Sequence, residues 1–68
     1  MRMRVEIKGR GEQREVEMDS GATVWDLLKE LKISRETVVV FMDGRVVPEE
    51  EPLREGAQIT ILPVVTGG

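Results

Sequence analysis

One amphipathic helix laid across one face of a mixed β-sheet, an α+β fold, follows from three features of this chain. Met3, Val5 and Ile7 alternate with Arg4, Glu6 and Lys8, the period of a strand with one buried face. Val24, Leu27, Leu28 and Leu31 recur at i, i+3, i+4 and i+7, the stripe of a helix that buries one side. Asp43-Gly44 separates Val38–Met42 from Arg45–Val47, the strongest short-range sign of a hairpin, because a type I′ turn needs positive φ at both central residues. Sixty-eight residues hold one small domain, with a body expected over 1–63 and a flexible tail over 64–68.

Each element has a local reason. After the first strand, Gly9–Glu12 reads as a turn, and Arg14, Val16 and Met18 alternate with Glu15 and Glu17 in a second strand. Gly9-Arg10-Gly11 is not a nucleotide loop, since the third glycine is missing and no helix follows. Asp19–Ala22 breaks the period. Thr23, with Asp26 three residues on, forms a capping-box pattern and starts a helix expected from about 24 to about 32. Lys29 and Lys32 lie toward its C-terminal end, and Trp25 is expected half-buried at the edge of its stripe. Ser34–Glu36 is a link into the β-prone run Val38–Met42. The return strand Arg45–Val47 stops at Pro48, which has no N–H to donate. Glu49–Pro52 is a loop with Leu53 plugging the core beneath it. Gly56 then turns the chain into the last strand, Gln58–Leu62, whose pairing Pro63 closes.

Composition removes most chemistry. With no cysteine there is no disulfide, thiolate metal site or cysteine nucleophile, and with no histidine the commonest general base near neutrality is gone. Ser20 and Ser34 lack an activating histidine, and Lys8, Lys29 and Lys32 occupy polar positions, so the chain is not expected to be an enzyme. Glu49-Glu50-Glu51 reads as a solvated loop rather than a metal site. A net charge of −3 argues against nucleic acid as a partner. Five basic residues against two acidic in 1–14 do not change that, because they are spread over both faces of turns and strands. The longest apolar run, Val38–Met42, is far short of the roughly 20 residues that cross a bilayer, and residues 1–6 lack the core of a signal peptide. A soluble, cytoplasmic protein is expected.

The C-terminus departs from the rest. Residues 59–68 carry no charge in a chain that is 34% charged, and they end in Gly67-Gly68. Glycine reaches backbone angles closed to other residues and threads narrow channels. Five residues beyond Pro63 extend roughly 17 Å. Such a tail can enter another protein's site while the body stays outside, delivering the α-carboxylate of Gly68; the alternative reading is a frayed terminus with no role.

Four segments in this order resemble the ThiS/MoaD family of ubiquitin-like sulfur carriers, which includes the archaeal small modifier proteins. They are Thr23-Val24-Trp25-Asp26-Leu27-Leu28, Met42-Asp43-Gly44-Arg45-Val46-Val47-Pro48, Leu53-Arg54-Glu55-Gly56 and Pro63-Val64-Val65-Thr66-Gly67-Gly68. The resemblance covers nearly the whole chain. It implies a β-grasp, ubiquitin-like fold with the first and last strands parallel at its centre. It also implies that an adenylating, ubiquitin-activating-like enzyme uses ATP to activate the C-terminal carboxylate, with no cofactor bound by the chain itself. A thiocarboxylate at Gly68 would then carry sulfur toward thiamine, molybdopterin or tRNA thiolation, with a sulfur donor and an acceptor such as a synthase large subunit as partners. The alternatives are conjugation through the same terminus to lysines of target proteins, and a β-grasp interaction module with an inert tail. The family usually has an acid where this chain has Ala57, a change expected to alter only local turn bonding. The length resembles a thiamine-pathway carrier and the final residues a molybdopterin carrier.

Strand parity marks a docking surface. Val40, Met42, Ile59 and Ile61 are expected to face the helix, leaving Val39, Phe41 and Leu62 outward as an apolar patch beside the tail residues Val64, Val65 and Thr66. The opposite parity stays open for Val38–Met42, because a continuously apolar run carries no alternation.

Overall fold

A computed structural model of the chain describes residues 1–64. It contains strands β1 (Arg2–Ile7) and β2 (Glu12–Glu17), helix α1 (Val24–Glu30), a 3-10 turn (Arg35–Thr37), and strands β3 (Val38–Met42), β4 (Arg45–Val47) and β5 (Gln58–Pro63). The strands form one sheet in the order β2-β1-β5-β3-β4. All neighbours are antiparallel except the central pair, β1 and β5, which run parallel as the resemblance implied. Two bonds cross that pair outside the strand ladder proper, from the Arg4 N–H to the Ala57 carbonyl (3.1 Å) and from the Lys8 N–H to the Ile61 carbonyl (2.9 Å).

The core is the inner face of this sheet against α1. Val5, Leu27, Ile59 and Ile61 are 0% exposed, and Val24 and Leu28 nearly so. Each buried aliphatic side chain contributes roughly 1.5–3 kcal/mol relative to exposure. Val40 and Met42 face inward with them, which settles the parity of the continuous run in β3. Leu53 is buried at 6% and plugs the core as expected.

A helix of seven residues has no stability of its own in water, so its ends have to be tied. The Thr23 hydroxyl accepts from the Asp26 N–H (3.3 Å), and the Asp26 carboxylate accepts from the Thr23 N–H (2.9 Å), closing the capping box. The loop expected to be merely solvated supplies two more acceptors: the Glu51 and Glu49 carbonyls take the N–H groups of Val24 and Trp25, each at 2.9 Å. Orphan donors of the first turn are thus satisfied by backbone from a distant segment.

The helix stops at Glu30, not near 32. Lys32 adopts φ +59°, and its N–H bonds the Lys29 carbonyl (3.1 Å) while the Ile33 N–H bonds the Leu28 carbonyl (2.9 Å). These are the two bonds of a Schellman motif, with Lys32 in the left-handed position that glycine ordinarily fills. A side chain bearing a Cβ costs about 1 kcal/mol there. Leu31, expected on the buried stripe, is the C-cap and only half-buried.

Three other boundaries shift. Met18 lies outside β2, because the ladder begins at Arg2 and Glu17 and Met18 finds only Met1 opposite: its N–H donates to the Met1 carbonyl (2.8 Å) and its carbonyl accepts from the Met1 amine (3.0 Å). The expected link at 34–36 is a 3-10 turn over Arg35–Thr37, started by the Ser34 hydroxyl accepting from the Glu36 N–H (3.3 Å). Pro63 belongs to β5 opposite Val38, since the ladder continues past it through the Val64 N–H to the Thr37 carbonyl (2.9 Å).

Candidate functional site

The outer face of the sheet divides in two. Across β2 and β1 it is charged: Arg2 stands opposite Glu17, with their side chains 3.6 Å apart, and Arg4 stands opposite Glu15. Across β3, β4 and the end of β5 it is apolar. Val39 pairs with Leu62, and Phe41 lies between Thr60 on one side and Val46 on the other. Val39 and Phe41 are half-buried by these neighbours, Leu62 is 40% exposed and Val46 is 65% exposed.

Val46 is the residue that sequence reasoning missed. The signal was present: Asp43 (φ +53°) and Gly44 (φ +84°) form the expected tight turn, and a two-residue turn places Phe41 directly opposite Val46. With one face of β3 assigned, that arithmetic puts Val46 beside Phe41 on the outer one.

The apolar half leads to the last described residues. Leu62 is followed by Pro63 and by Val64, which is 37% exposed and tied to Thr37 through its N–H. Val65, Thr66, Gly67 and Gly68 lie outside the described residues. The structure therefore brings together Val39, Phe41 and Leu62 of the expected docking residues, while Val64 lines the groove beside Thr37 and Pro63.

Neighbouring turns are held by side chains. The Asp43 carboxylate accepts from the Gln58 N–H (3.0 Å) and pairs with Arg54, which ties the β3–β4 turn to the start of β5. Ala57, where the family usually has an acid, is buried at 3%, and the carboxylate on the following N–H comes from Asp43. On the helix side, Trp25 is half-buried, with the Lys29 Nζ 5.3 Å and the Arg35 Cζ 4.6 Å from its ring centroid. The Glu49 carboxylate pairs with Arg35 at 2.8 Å. The Thr23 backbone hydrogen bond, followed by weaker contributions from the Thr23 hydroxyl and Lys29, holds the Asp26 carboxyl below its ordinary range. Arg14 does the same for Glu12 through a hydrogen bond and its charge, helped by Arg10. No described helix is long and apolar enough to cross a membrane.

Comparison with known proteins gives three results. A family model described as small archaeal modifier protein 2 matches residues 1–65. The small archaeal modifier protein 2 of Haloferax volcanii is 35% identical over 68 residues, covering 100% of both chains. Among solved structures, a Pyrococcus furiosus protein described as molybdopterin converting factor, subunit 1, is 25% identical over 94% of this chain and 98% of its own, with a TM-score of 0.80. The complex of subunits 1 and 2 of the Helicobacter pylori molybdopterin-converting factor contains a chain with a TM-score of 0.73 at 19% identity, covering 100% of both. These likenesses establish the ubiquitin-like β-grasp fold.

Proposed function

This chain belongs to the small archaeal modifier protein 2 family, within the ThiS/MoaD-like group of ubiquitin-like sulfur carriers and modifiers, and from that premise we propose that its working group is the α-carboxylate of Gly68. Proteins of this group are generally non-catalytic, so activation falls to a partner enzyme. An oxygen of the Gly68 carboxylate attacks the α-phosphorus of ATP on that enzyme, an acyl-adenylate forms, and pyrophosphate leaves. Hydrosulfide sulfur then attacks the acyl carbon and expels AMP, and loss of the sulfur-bound proton leaves a thiocarboxylate. In the second outcome a lysine amine attacks instead, AMP and a proton leave, and an isopeptide bond remains.

The observation that carries this reading is the uncharged run ending in Gly67-Gly68 on a chain that aligns end to end with a small archaeal modifier protein. The absence of histidine and cysteine supports it, because the chain then contributes an acyl group and not a side-chain catalyst. The apolar patch of Val39, Phe41, Val46 and Leu62 is the surface by which the activating enzyme holds the body while the tail enters its site. The complex of the two Helicobacter pylori subunits supports a second partner, an acceptor enzyme that takes the sulfur.

Deleting Gly67 and Gly68 tests the shared first step. The truncated chain is expected to fold normally and to give no ATP-dependent adenylation with the activating enzyme of the same organism. Survival of adenylation would leave only the interaction-module reading. Intact-mass measurement then separates the two outcomes: an oxygen-to-sulfur exchange at the terminus marks carriage, and Gly-Gly remnants on lysines of other proteins mark conjugation.

A further inference from the structure

Beside Val64 stand cations from two separate stretches of sequence, the β1–β2 turn and the end of α1. Lys8 follows β1, Arg10 lies in the β1–β2 turn and Lys32 follows α1, and all three line one open groove of about 390 Å³ together with Pro63 and Val64. No aspartate or glutamate lines it. Lys8 is paired with Glu6 at 3.3 Å, while Arg10 and Lys32 make no ion pair among the described residues. In a chain of net charge −3 this is a local reversal of sign beside Val64, the last described residue.

The backbone adds an independent observation. Lys32 sits at φ +59° in a Schellman motif, a position where glycine is the unstrained residue. Its Cβ brings strain that a glycine there would not. A side chain kept at the expense of local stability points to a use outside the fold.

We propose that Lys8, Arg10 and Lys32 form a basic collar that docks on an acidic surface around the mouth of the activating enzyme's channel, steering the tail into it. This rests on the reading of Gly68 as the activated group and names the electrostatic character of the partner. The collar is distinct from the apolar sheet face: one holds the body by burial, the other aligns the exit point of the tail by charge. Charges at the rim of an interface act mainly on encounter rate and salt dependence.

Steady-state adenylation kinetics at low and high salt test the collar, using wild type, the triple variant K8Q/R10Q/K32Q and the single variant K32G. The triple variant is expected to raise KM about tenfold at low salt, with kcat unchanged and the salt dependence of KM lost. K32G is expected to melt about 4 °C higher than wild type and still to raise KM, which separates docking from folding. KM values and salt dependence equal to wild type in both variants would overturn the collar while leaving the Gly68 reading intact. Absence of wild-type adenylation would remove the premise and the collar together. Salt-sensitive binding of a single-stranded RNA oligonucleotide that the triple variant loses, with KM for the enzyme unmoved, would also overturn it.

Discussion

The Thr23 hydroxyl and the Asp26 carboxylate answer each other's backbone N–H groups, and that one exchange starts a helix too short to start itself. Thr23→Ala is expected to cost about 1 kcal/mol of stability, read from urea unfolding. Asp26 adds a pH dependence whose sign is fixed by its depressed folded value. Its contribution is complete above the ordinary value of 3.8 and is lost as pH falls through the lower folded one. Asp26→Asn removes that titration, so the stability of the variant is expected to fall less steeply than wild type below about pH 4. At the far end of the helix the residue that matters is Lys32. Sequence periodicity placed Lys32 in the helix because no glycine marked a stop, but the Schellman bonds put it outside. The same single residue then carries a charge to the rim of the tail groove.

Among the elements, α1 and β3 respond differently to substitution. Leu27 is fully buried where α1 meets the sheet, and Leu27→Ala is expected to destabilise by about 3 kcal/mol, through lost burial and the cavity left behind. That is a large share of the stability of so small a domain. The outer residues of β3 and β4 act at the surface instead. Phe41→Asp and Val46→Asp are expected to raise KM for adenylation severalfold with the circular dichroism spectrum unchanged. Val46, at 65% exposure, is the cleaner of the two, because nothing in the core depends on it. Unfolding of Val46→Asp would refute the assignment of that face. The hairpin joining these strands was legible in advance, since Asp43-Gly44 permits one turn type and that turn sets the register.

At the scale of the whole molecule, the parallel pairing of β1 with β5 places the first and last strands side by side and delivers the end of β5 to the groove between the β1–β2 turn and the end of α1. Removing Gly67 and Gly68 is expected to leave the unfolding midpoint unchanged while abolishing adenylation, because among the described residues the buried core runs from Met3 to Ile61. The sequence by itself determined what can be decided by neighbours along the chain. Period two marked β1, the i, i+3, i+4, i+7 stripe marked α1, and the glycine of the tight turn marked the hairpin. Tertiary structure decided what depends on contacts between distant segments. The continuous run Val38–Met42 has no alternation to read, so only packing against α1 could turn Val40 and Met42 inward and Val39 and Phe41 outward. Lys8 and Arg10 share one turn, and only the folding of α1 back onto the sheet brings Lys32 to the same groove. Local preferences are written in the spacing of residues, whereas a surface assembled across strands exists only once the hydrophobic core has chosen which faces to bury.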